Sequence, residues 1–111
     1  MDYRSHLGRQ LAPRYSSFVS EIHELSASDL VALRESGQLS ALEMVNHFLA
    51  RIEALNGSIN ALVTVTPEQA LERASAMDKG LLDPGILWGL PFADKDLTNR
   101  AGVVTGAGSR T

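Results

Sequence analysis

In the stretch Gly89-Leu90-Pro91-Phe92-Ala93-Asp94-Lys95-Asp96 a single lysine stands between two aspartates. Two chemistries are open to it. A lysine among acids is ordinarily a solvated charge cluster, because Lys and Asp are almost never fully buried unless paired. Held in a dry cleft, the same amine becomes a base: desolvation disfavours the ammonium form, and a neutral amine accepts protons. Leu90 to Lys95 has strand character, and successive strand side chains point to opposite faces. A strand there would turn Asp94 and Asp96 away from Lys95 and let the amine sit in such a cleft; on spacing alone both chemistries stay open.

Other chemistries lack the residues they need. There is no cysteine, which removes disulfides, thiolate nucleophiles and Cys-based metal sites together. His6, His23 and His47 fall at no ligand spacing and read as ordinary surface or half-buried histidines, so no metal or cofactor is expected. Net charge is -3, with no basic stripe; direct nucleic-acid binding has no electrostatic support. No apolar run approaches the ~18 residues of a membrane span, and the start lacks a signal core. Arg4, Arg9 and Arg14 suggest a transit peptide, but Asp2 argues against one. The expected compartment is the cytoplasm. Ser109 is the sole serine after Lys95 and does not read as a nucleophile. Trp88 and Phe92 read as packing residues rather than a substrate-binding pair.

The chain has 111 residues, 44% of them hydrophobic and 5% aromatic. That length can bury roughly 65% of its unfolded surface, in a core built mainly of Leu, Val, Ile and Ala. Residues 1–24 read as an N-terminal extension, weakly patterned, with a short helix near Phe18 to His23. Residues 25–111 are orderly. Ser26, with Asp29 three residues on, caps a first helix that Gly37 stops. Ser40 and Glu43 form a capping box. Leu42, Val45, Phe48, Leu49, Ile52 and Leu55 then recur at helical spacing, until Asn56-Gly57 ends this second helix. The two helices should form a hairpin. Ala61 to Val65, ALVTV, predicts a strand. Thr66-Pro67 opens a third helix, with Gln69 completing a box and Gly80 closing it. Asp83-Pro84-Gly85 is a turn. The fold class expected is α/β: helical hairpin, strand, helix, strand, as part of a larger mixed sheet. The Gly-rich end, Ala101 to Thr111, reads as an interrupted domain.

Gly89, Pro91, Lys95 and Asp96, followed by Ala101-Gly102, Thr105 and Gly108-Ser109, resemble the lysine region of the amidase signature family. The Leu25-Ser26-Ala27 opening, the Ser40-Ala41-x-Glu43 helix start and Leu55 to Ala61 are similar to that family's N-terminal helices and first strand. The resemblance spans about Leu25 to Thr111. It implies a Ser–cis-Ser–Lys mechanism with Lys95 as base, both serines lying outside this sequence, and hence an inactive fragment of an enzyme that hydrolyses carboxamides. The implied partner is a small-molecule amide. A second reading of the same resemblance is the amidase subunit of a tRNA-dependent amidotransferase. A reading of another class is a non-catalytic interaction module that docks a partner on the Ser40 to Leu55 face. One departure stands out: Asp94 occupies a position that is more often apolar in the family, and a carboxylate there favours the charged lysine.

Overall fold

The computed structural model describes residues 21–111 except Pro84, Trp88, Arg110 and Thr111. A 3-10 turn, Ile22–Glu24, leads into three helices: α1, Ala27–Glu35; α2, Ala41–Ile59; and α3, Pro67–Asp78. The helix starts follow the sequence closely. The Ser26 hydroxyl accepts the Asp29 N–H at 3.1 Å. At Ser40 both halves of the capping box are present: its hydroxyl accepts from the Glu43 N–H, and Glu43 accepts from the Ser40 N–H. α1 and α3 both end in Schellman motifs. The Gln38 N–H reaches Leu33 C=O at 2.9 Å and the Leu81 N–H reaches Ala76 C=O at 2.9 Å. In each case a glycine at positive φ, Gly37 or Gly80, makes the left-handed step that a Cβ would oppose.

Two expectations at helix ends are corrected. Thr66 makes no side-chain capping bond, so the Thr66–Gln69 box does not form; its φ and ψ of -120° and 69° lie off the usual capping geometry. α2 does not stop at Asn56-Gly57 but runs through them to Ile59, with Asn60 taking the left-handed C-terminal position at φ 54°. A glycine inside a helix costs about 1 kcal/mol relative to alanine, which tertiary packing readily offsets.

The core lies in two clusters on either side of α2. Ile22, Leu30, Leu33, Leu39 and Met44 form one, with Leu25, Phe48 and Leu90 packed against it. Ala41, Val45 and Ala74 centre the other, backed by Leu42, Leu49, Ala70, Leu71 and Met77. Burying a side chain such as Leu33 or Met44 contributes about 1.5–3 kcal/mol. The packed unit therefore reaches back to Ile22, which is fully buried, three residues before Leu25. The main packing partner of α2 is α3; α1 meets α2 only through the first cluster, so the expected α1–α2 hairpin is a minor contact.

The expected strands are absent among the described residues. The one β-bridge there is an isolated antiparallel pair, Arg100 with Val103. ALVTV is irregular backbone, with Val63 76% and Val65 38% exposed, and Leu90 to Lys95 carries no strand either. The reason is physical: β propensity expresses the fit of branched side chains to a pleated, half-buried surface. Without a neighbouring strand to complete the hydrogen-bond ladder, the preference has nothing to act on. The described structure is helical, and the strand-helix-strand part of the α/β expectation is not realised in it.

Candidate functional site

The lysine segment begins where the chain crosses the first core cluster. Gly89 is buried at φ 85°, and a Cβ on it would lie 3.0 Å from Arg34 Cδ and 3.5 Å from both Ala41 Cβ and Met44 Cε. The glycine of the Gly-x-Pro motif is thus the point of close approach between this segment and the helices. Beyond it, residues 91–107 form a loop that folds back on itself. The Thr98 N–H donates to Lys95 C=O at 2.9 Å, and the Ala107 N–H donates to Asp96 C=O at 3.0 Å. The Asp96 side chain adds a second tie: its Oδ1 accepts the Gly106 N–H at 2.9 Å. A side chain at position 106 would press on that carboxylate, since a Cβ there would sit 3.0 Å from Asp96 Oδ2.

Asp94 is also engaged. Its Oδ2 lies 2.8 Å from Arg100 Nη1, and the Arg100 guanidinium rests 5.7 Å from the centre of the Phe92 ring. Both carboxylates flanking Lys95 therefore have partners within the loop, and no ion pair of Lys95 itself occurs among the described residues. Sequence reasoning assigned this separation to strand alternation; a salt bridge and a backbone tie accomplish it instead. Arg100 was missed. A basic residue six places after Asp94 was the available signal.

Lys95 lines a cleft of about 620 Å³ bounded by Phe48 and Ile52 of α2, by Val63 and Val65, and by Phe92. The lysine itself is exposed, so the dry environment expected for a base is not provided by the described residues. Phe92 is 75% exposed, against the expectation that it packs in a core: it stands on the cleft wall, where no described element lies across it. Trp88 is outside the described residues. Ser109 donates its backbone N–H to Gly106 C=O at 2.9 Å and makes part of the loop's end.

Away from the lysine, two of the three histidines come together; His6 is outside the described residues. His47 is buried on α2, with 2% of its surface exposed, which corrects the surface or half-buried reading for that residue. Its Nε2 is 2.9 Å from His23 Nδ1, and Arg51 Nη1 is 3.0 Å from His23 Nε2. One atom each from Glu21, His23 and His47 lies within 4.8 Å of the others, a spacing that a metal ion could span. The ring orientation favours a hydrogen-bonded relay. The two imidazoles are within 11° of parallel with centroids 5.1 Å apart, close to the N···N distance plus two ring radii. Their nitrogens thus face one another, whereas metal ligands aim their lone pairs at a common third point.

No helix among the described residues is long and apolar enough to cross a membrane. Comparison with known proteins gives a consistent result. The Amidase family model matches residues 43–111, which takes in α3, the whole lysine loop and all but the first two residues of α2. The chain is 44% identical over 91 residues to a glutamyl-tRNA(Gln) amidotransferase subunit from Thioalkalivibrio sulfidiphilus, covering 80% of this chain and 19% of that protein. It is 42% identical over 91 residues to the subunit of the same name from Alkalilimnicola ehrlichii, with the same coverage. The corresponding subunit of Alcanivorax borkumensis is 41% identical over 96 residues, covering 80% of this chain and 20% of the relative. The chain spans about a fifth of the length of these curated relatives. No solved structure matches it. A lysine segment anchored by Gly89 and matched over its full length by one family model assigns this chain to the amidase signature family.

Proposed function

We propose that this chain is part of the amidase subunit of a tRNA-dependent amidotransferase, with Lys95 as the base that activates a serine for attack on a side-chain carboxamide. The observation that carries this reading is the 41–44% identity to proteins named as subunits of glutamyl-tRNA(Gln) amidotransferase. It moves the amidotransferase reading ahead of a free-standing amidase, to which the sequence alone pointed first. The chemistry is shared by both. A serine Oγ bonds to the carboxamide carbon while its proton passes through a second serine to the Lys95 amine. As the tetrahedral adduct collapses, the Lys95 ammonium returns its proton through the second serine to the departing amide nitrogen, which leaves as ammonia, and water then cleaves the ester to give the carboxylate and the free serine. An amine serves as proton acceptor only within hydrogen-bond reach of that relay. Both serines would come from polypeptide outside this sequence, and so would the cover that dries the exposed Lys95. The cleft containing Lys95 is where such residues would enter. On this reading the 111-residue chain alone has no amidase activity.

In the subunit role the substrate is glutamine, and the ammonia serves a glutamyl-tRNA held by partner subunits, not by this acidic chain. The interaction-module reading loses ground, because Val45 and Leu49 of the α2 apolar face already pack against α3. The test is ammonia release from glutamine by the complete protein with its partner subunits. Lys95→Ala should lower turnover at least ~100-fold. Near-normal release would remove Lys95 from the chemistry. Hydrolysis of simple amides with no response to glutamine would return the free-standing amidase to first place.

A further inference from the structure

The flanks of Lys95 carry one feature that the proposed chemistry does not explain. A base must shed its proton in each cycle, and a carboxylate at the next residue opposes this by stabilising the ammonium form. Asp94 is such a carboxylate, yet it is turned to Arg100 at 2.8 Å. Arg100 is held in place from two further directions. It stacks over Phe92, and its backbone pairs with Val103 in the one β-bridge described, with the Val103 N–H donating to Arg100 C=O at 3.1 Å. The charged groups lining the cleft are Asp94, Lys95, Asp96 and Arg100. Asp96 is tied to the Gly106 N–H, which leaves Asp94 as the acid whose engagement depends on a side-chain partner.

We infer that Arg100 is a positioning residue for Lys95: by holding Asp94 it lets an acid stand beside the base without keeping that base protonated. The inference rests on Lys95 being the base. It ties Asp94 to Arg100 as a matched pair beside Lys95. The guanidinium suits the task because it stays charged at any working pH and stacks on an aromatic face, as an ammonium does less well.

The test uses the complete protein and the pH profile of kcat/KM for carboxamide hydrolysis, whose ascending limb reports loss of a proton from the free enzyme. Arg100→Gln frees Asp94 and should move that limb to higher pH by about half a unit to one unit, the modest size expected of a solvent-accessible pair. Activity on the acid side should fall ~3- to 10-fold accordingly. Asp94→Asn in the Arg100→Gln background should return the limb to its original place, and Arg100→Lys should return it in part. Asp94→Asn alone leaves the Arg100 cation unpaired and should move the limb to lower pH, and this variant keeps the idea testable if Arg100→Gln does not fold. The pH dependence of Lys95 acetylation by acetic anhydride, read by mass spectrometry, should follow the same order without relying on turnover. An unmoved limb in Arg100→Gln, a shift that Asp94→Asn fails to reverse, or an unmoved or upward-shifted limb in Asp94→Asn alone would overturn the inference while leaving Lys95 as base. Full activity of Lys95→Ala would overturn both.

Discussion

The Asp78 carboxylate, at the end of α3, accepts the Ala41 N–H at the start of α2: Oδ1 lies 2.9 Å from that nitrogen, and Oδ2 takes the Leu42 N–H at the same distance. Thirty-seven residues separate Asp78 from Ala41. Together with the Ser40–Glu43 box, this carboxylate satisfies the free N–H groups of Ala41, Leu42 and Glu43 and places a negative charge at the positive end of the helix dipole. It also locks α2 to α3, the pair that bears the cleft on its flank.

Asp78→Ala should therefore lower stability by about 1–2 kcal/mol, the range for losing a charge-assisted cap. Asp78→Asn keeps one acceptor oxygen and should lose about half as much. Thermal unfolding of the two variants checks the order; equal loss in both would show that the charge, and not the pair of acceptors, matters.

Asn56 performs a similar service for the segment between the helices. Its Nδ2 donates to Leu62 C=O and its Oδ1 accepts the Leu62 N–H, both at 2.9 Å, so one side chain occupies the backbone of a residue six places on. Asn56→Ala should release residues 61–65 from α2 and reduce hydrogen-exchange protection at the Leu62 amide by ~10-fold, the equivalent of about 1.4 kcal/mol. Unchanged protection would mean that Leu62 is held by something else.

Gly89→Ala joins two penalties: a positive φ that L residues resist, and a Cβ crowded by Arg34, Ala41 and Met44. We expect a loss of about 1–3 kcal/mol, seen as a lower midpoint in urea unfolding at an unchanged slope. Gly57→Ala is the control. It lies within α2 with nothing within 4 Å of an added Cβ, and should stabilise the protein by up to about 1 kcal/mol.

The histidine relay makes a spectroscopic prediction. The Arg51 guanidinium can only donate, so His23 must accept at Nε2 and carry its own proton on Nδ1. That proton points at His47 Nε2, which puts the His47 proton on Nδ1 as well. Long-range proton–nitrogen correlation should find both rings as the Nδ1–H tautomer near neutral pH. An Nε2–H tautomer at His23 would refute the Arg51 contact.

Local rules made much of this protein legible before any coordinates. Ser26, Ser40 with Glu43, Gly37 and Gly80 act within a turn or two of their own positions, where capping energies depend on nearest neighbours; hence three helices could be placed from spacing alone. Lys95 could be singled out as a candidate for a similar reason: Gly89, Pro91, Lys95 and Asp96 fall within one eight-residue stretch. Non-local relationships were not legible. Nothing in ALVTV reveals whether a second strand lies beside it, because a ladder requires a partner that propensity does not encode. Nothing local marks Asp78 as the cap of α2, His47 as the buried partner of His23, or Arg100 as the counterion of Asp94. Each of these joins residues that are brought together only when apolar faces pack, and that packing, not the order of residues, decides which polar groups must find each other.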